Sequence, residues 1–231
     1  MIMIQLRTLM ILFCCIFITQ LHAQQTEVRV IFQALFNEQL VELDSVYDFD
    51  DGHIQFTKFK LYLGKPDLFE KGQKLKYAGD SFFLIDLEEK HSLELNIRSP
   101  SESSVDSLSF LLGIDSLTND AGVKGGVLDP LKGMYWTWRT GYINLKLEGL
   151  IGSSKGADQQ FIYHLGGFLE SFVEEHRFGY QIDGSKNLLY LDLDFIHNYI
   201  IASGNKTIMS PTTASNELLK LFSENFKALE Y

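Results

Sequence analysis

Alternation with a period of two runs through most of the chain. Thr26-Glu27-Val28-Arg29-Val30-Ile31-Phe32 switches between apolar and polar side chains and predicts a first strand. Gly52 to Leu63 alternates for longer, which turns Ile54, Phe56 and Phe59 toward a core. Shorter strands are predicted over 81–87, 92–97, 107–112, 142–147, 160–165 and 187–193, with Gly, Asn, Asp and Ser turns between them. Short strands in that number describe an all-β chain, a mostly antiparallel β-sandwich or a barrel. Helical spacing is confined to the C-terminus, where Thr213 or Ser215 would cap a short helix reaching Phe226.

The first residues follow a different pattern. Arg7 is followed by an apolar run from Leu9 to Ile18, then by Thr19-Gln20-Leu21-His22-Ala23. That is the layout of a secretory signal peptide, and cleavage after Ala23 is expected. The run is too short to span a membrane, which takes about 20 apolar residues. Cys14 and Cys15 suggest a lipoprotein, but Phe13 is bulky where lipid attachment needs a small residue. Residues 24–231 are then one soluble, exported domain without cysteine, held together by its core alone.

Net charge is −10, and one unit more negative once Arg7 is removed. Nucleic acid needs a basic footprint and is excluded as a partner; a cation is compatible. Catalytic signatures are missing: there is no Gly-x-Ser-x-Gly elbow, no His-Glu-x-x-His, no phosphate loop and no dinucleotide fingerprint. Glu170, Glu174 and Glu175 beside His176 read as a solvated face. A non-enzymatic binding protein is the expectation.

One long irregular stretch, Gly113 to Arg139, interrupts the strands and holds both tryptophans of the chain. Loops of that length in compact domains are usually functional or disordered, and aromatic content argues against disorder. In Gly133-Met134-Tyr135-Trp136-Thr137-Trp138 the Trp-x-Trp spacing puts both indoles on one face of an extended segment. Taken alone, the pair reads as large core residues. Asp115 to Gly122 offers oxygen ligands at short spacing, as calcium favours, but lacks the EF-hand glutamate. A self-bonded Asx turn explains the same residues.

Gly113-Ile114-Asp115, Asn119, Leu128-Asp129-Pro130, Gly133-Met134-Tyr135-Trp136-Thr137-Trp138, Gly141-Tyr142-Ile143 and Leu147-Glu148-Gly149 together resemble the MbnP-like family. Lys60-Leu61-Tyr62-Leu63, His164-Leu165-Gly166-Gly167 and Met209-Ser210-Pro211 extend the resemblance in order. It implies a periplasmic β-sandwich that binds copper through histidine and a tryptophan oxidised to kynurenine, with a di-haem peroxidase-like partner protein. Trp136 is the matching position, with Trp138 second. Ring opening to kynurenine exposes an aryl amine and a carbonyl, where indole offers only an N–H donor.

The resemblance makes His164 the histidine ligand, and a neutral imidazole suits copper. The family uses more than one histidine. His53, at the start of a strand, is the one that folding would have to bring in. Met134 is a soft ligand or a packing residue. His91, His176 and His197 read as surface residues. The alternative function is a binding module for a protein or organic ligand without metal, the Trp pair forming core or pocket wall.

Overall fold

The structure is a computed structural model and describes residues 27–75, 82–99, 105–138, 141–153, 156–166, 175–182 and 187–228. The segment expected to be a signal peptide lies outside the described residues, as do Glu170 and Glu174. Two sheets face each other. The smaller is built on β1 (Glu27–Phe36), which carries β13 (Asn187–Asp192) along one side, with β15 (Phe226–Ala228) beyond it. β7 (Glu94–Arg98) and β2 (Gln39–Leu40) also pair with β1.

The larger sheet has the order β12 (Arg177–Gln181), β8 (Ser107–Leu112), β4 (Gly52–Glu70), β10 (Gly141–Ser153), β11 (Gln159–Gly166) and β14 (Thr207–Ile208). β3 (Val46–Phe49), β5 (Gln73–Lys74) and β6 (Phe82–Asp86) pair along β4, and β9 (Tyr135–Trp136) pairs with β10. Both sheets are mixed, because β1–β13 and β11–β14 run parallel.

Alternation sets the core. Val28, Val30, Phe32, Ala34 and Phe36 all point inward from β1. They meet the inward residues of the larger sheet: Phe32 stacks on Phe59 at 6.0 Å, and Phe36 meets Phe56 edge-on at 5.7 Å. Further along, Phe178 of β12 stacks on Phe226 of β15 at 3.8 Å. Burial of a large aromatic side chain is worth roughly 2–3 kcal/mol, so this layer is a main source of stability in a fold whose described residues include no cysteine.

The expected strands are all present, with shifted ends. β4 runs seven residues beyond Leu63, through Gly64-Lys65-Pro66, which reads as a stop. A positive φ at Lys65 and a register shift between Gly64 and Asp67 make a bulge there. The bulge lets proline sit within a long strand. The fold has more helix than the sequence suggests. α1 (Ser116–Asp120) lies in the irregular stretch, and α2 (Phe195–Ser203) follows β13. α3 (Thr213–Glu224) is the expected C-terminal helix, with Thr212, not Thr213 or Ser215, accepting from the Ser215 amide as N-cap.

Candidate functional site

The outer face of the larger sheet is half charged and half apolar. Side chains alternate along β4 and β10, so Leu61, Leu145 and Leu147 go to the core and Lys58, Lys60, Lys146 and Glu148 face out. His164 sits opposite Lys146 and joins that outer face. Its Nε2 lies 2.8 Å from Glu148 Oε1. Burial lowers the His164 pKa, with Lys146 adding to the effect, and this outweighs the Glu148 hydrogen bond. Lys60 pairs with Asp86 at 2.7 Å, and Lys58 with Glu88 at 3.3 Å. Lys146 is held below the ordinary lysine range, mainly by burial and also by Lys58 and Lys60.

The stretch that follows β8 is laid over the other half of this face. Met134, Trp136, Leu128 and Ile114 close over Tyr62, Tyr142 and Ile143 as a second apolar cluster, separate from the main core. Three devices hold it down. The Asn144 side chain accepts the Ile114 amide at 3.0 Å. Asn119 accepts the Tyr142 amide at 2.9 Å. Lys146 Nζ donates to the Gly133 carbonyl at 2.6 Å, tying the tryptophan segment to the charged half. Gly113 (φ 104°) and Gly166 (φ 135°) fit closely around Asn144, where a Cβ would lie within 2.6 Å of Asn144 atoms. These are the glycines of the Gly-Ile-Asp and His-Leu-Gly segments, and the tight fit is what they are for.

The two tryptophans part company. Trp136 is 5% exposed and its indole Nε1 has no hydrogen-bond partner, whereas Trp138 is 63% exposed. Their rings remain neighbours at 6.0 Å, tilted by 50°. The single-face expectation fails because β9 ends at Trp136 and the chain turns at Thr137. Met134 is fully buried in the second cluster, so packing is its role here.

His53 and His164 are not brought together. His53 lies opposite Gly152 and His164 opposite Lys146 on the same strand. Six steps of about 3.3 Å separate them, on the order of 20 Å along the sheet. One ion about 2 Å from each ring is impossible at that distance. His53 instead bonds Asp158 at 2.9 Å. Of the histidines expected at the surface, His176 is buried and His197 is half-buried. His176 is 8% exposed and bonds Asn216 at 2.9 Å, and His197 stacks on Phe49 at 4.6 Å. Both were misread because their partners, on α3 and β3, are remote in sequence. His91 is exposed, as expected.

The acidic loop bonds to itself. Asp115 accepts the Thr118 amide as N-cap of α1 and pairs with Lys65 at 3.0 Å, while Asn119 bonds Ile114 and Tyr142. Asp115 Oδ1 and Asn119 Oδ1 are engaged in this way, whereas Asp115 Oδ2 is buried without a partner. For copper, the unmodified donors do not fit a centre. Among the described residues no three of His, Cys, Asp and Glu converge as a metal requires. The outer-face elements that sequence reasoning missed are Lys58, Lys60 and Lys146. Their period-two spacing on two strands was the available signal.

A family model described as MbnP matches residues 25–213. MbnP from Methylosinus trichosporium, a solved structure, is 16% identical with a TM-score of 0.55. The match covers 76% of this chain and 78% of that one, and at this identity it speaks for the fold. A search of curated proteins gives no significant match. With the model spanning most of its length, the chain belongs to the MbnP family.

Proposed function

We propose that this protein is an exported, non-enzymatic copper-handling protein whose centre is Trp136, not a histidine pair. The observation that carries the reading is the orphaned indole N–H of Trp136, buried in the second apolar cluster. A buried donor without an acceptor costs about 1–3 kcal/mol. Holding one inside the segment that carries the family resemblance makes sense if indole is a precursor. A peroxide-consuming di-haem partner would supply the oxidant. Two peroxide equivalents insert two oxygens across the pyrrole double bond and leave as water. Hydrolysis of the resulting formamide then releases formate and gives kynurenine. The new aryl amine and ketone replace an indole that offers only an N–H donor and no lone pair for a metal. Copper is the cargo, and export places Trp136 in the compartment of such a partner.

A second reading, a metal-free binding module, is favoured by the engagement of His53, His164 and His176 with Asp158, Glu148 and Asn216. Copper titration of two preparations separates the readings. Protein from the native periplasm should bind about one copper, and protein made without the partner should bind at least tenfold more weakly. Equal binding by both preparations would contradict a Trp136-centred site. Binding by neither would leave the metal-free module.

A further inference from the structure

The far end of the larger sheet carries a cleft of different chemistry. β3 and β4 form a hairpin closed by Phe49 opposite Gly52, with Asp50-Asp51 as its two-residue tip. Such tips favour Asn-Gly or Asp-Gly, so two adjacent carboxylates are an unusual choice. Asp48 on β3 and Asp194 before α2 add two more, and the four surround a cleft of about 860 Å³. Asn37, His53, His197 and Asn198 complete its walls, with no Lys or Arg among the described residues that line it. Asp194 accepts the Asn37 amide, but no hydrogen bond or ion pair among the described residues engages the side chains of Asp48, Asp50 or Asp51.

The cleft does not end at the acids. Phe49 and Asp51 are shared with an adjoining chamber of about 480 Å³, walled by Ile151, Ile200 and Ile201. Ile201 is 64% exposed, an apolar side chain left toward this opening. Phe49 divides the two chambers and is backed by the His197 ring, stacked at 25°, whose Nδ1 has no partner. Lys206 lies on the apolar chamber, so a cation entering this groove is directed to the acidic end.

We propose that this groove binds a small amphiphilic organic cation, an amine or guanidinium with an apolar tail. The charged head would lie among Asp48, Asp50, Asp51 and Asp194, near the aromatic surface of Phe49. The tail would lie against Ile151, Ile200 and Ile201. A compact metal ion is a poorer match, since no three ligands converge and the carboxylates are spread around a wide cleft. The site is independent of the tryptophan segment. His53 and Trp136 face β10 at Gly152 and Gly141, on the order of 35 Å apart along the strand.

The test is an amide-resolved NMR titration of the mature chain with hexylamine, methylamine and hexanoate. Hexylamine should shift the amides of Gly52 and Gly204, hexanoate should not, and methylamine should bind about tenfold more weakly for want of the tail. The double substitution Asp50→Asn with Asp51→Asn, at an exposed turn that tolerates both, should weaken hexylamine about fivefold. Ile201→Ser should weaken hexylamine and leave methylamine unchanged. Equal binding of hexanoate, no shift at Gly52 and Gly204, or unaltered affinity in both variants overturns the proposal. So does displacement of hexylamine by micromolar calcium, which would make the cleft a metal site.

Discussion

Asn144→Ala isolates the device that seats the tryptophan segment on the sheet. Asn144 lies in β10 at a register shift between Ile143 and Leu145, and its Oδ1 accepts the amide of Ile114, a residue 6% exposed. Alanine removes the acceptor and leaves that amide buried without a partner, at a cost of about 1–3 kcal/mol. Water cannot easily replace it, because Gly113 and Gly166 pack against the same side chain from both sides. The expected loss is about 2 kcal/mol, or roughly 4–8 °C in Tm for a domain of this size. Urea denaturation gives the free energy, and hydrogen exchange at the Ile114 amide gives the local effect. Asn144→Asp keeps the acceptor and should cost well under half as much. Emission from Trp136 should move to longer wavelength in the alanine variant, since the segment begins at Ile114. A loss below about 0.5 kcal/mol, or unchanged exchange at Ile114, would refute Asn144 as the anchor.

Other consequences follow from the same geometry. Gly166→Ala forces a Cβ to 2.6 Å from the Asn144 backbone nitrogen at φ 135° and should cost about 2–4 kcal/mol, read as a lower urea midpoint. Burial holds the His164 pKa below its unfolded value, so the unfolded chain binds that proton first as pH falls. Stability from this group is complete above about pH 6.5 and declines as pH drops toward the folded pKa; His164→Gln should flatten that part of a stability-against-pH curve. Burial tends to raise the Asp115 pKa, but the Thr118 hydrogen bonds and Lys65 outweigh it and the net shift is downward. Its contribution is therefore present above about pH 4 and lost below, and Asp115→Ala should cost about 1–2 kcal/mol at neutral pH by calorimetry.

The strands were legible because period-two alternation and two-sided burial are the same fact seen twice. Val28, Val30 and Phe32 in β1 and Ile54, Phe56 and Phe59 in β4 needed no partner to be placed. α2 was not legible, because Phe195, Ile196, Tyr199, Ile200 and Ile201 have the composition of a strand. Packing of Ile196 and Ile200 into the core overrides that preference. The tryptophan segment could be singled out from its length and aromatic content, yet its seat on the outer face depends on Asn144, which carries no local signal, and on Lys146, whose alternation shows its face but not its bond to Gly133. The separation of His53 from His164 is set by register, and register is decided by pairings across the whole sheet. Reading the Asp50-Asp51 tip as part of a groove required Asp194 and His197, more than 140 residues away.

Peptide mapping by mass spectrometry of protein taken from the native periplasm, with copper measured on the same sample, tests the central claim most directly. The account predicts a gain of about 4 Da confined to Trp136, the change from tryptophan to kynurenine, in the fraction that carries copper. Unmodified Trp136 in protein that holds copper stoichiometrically would contradict it.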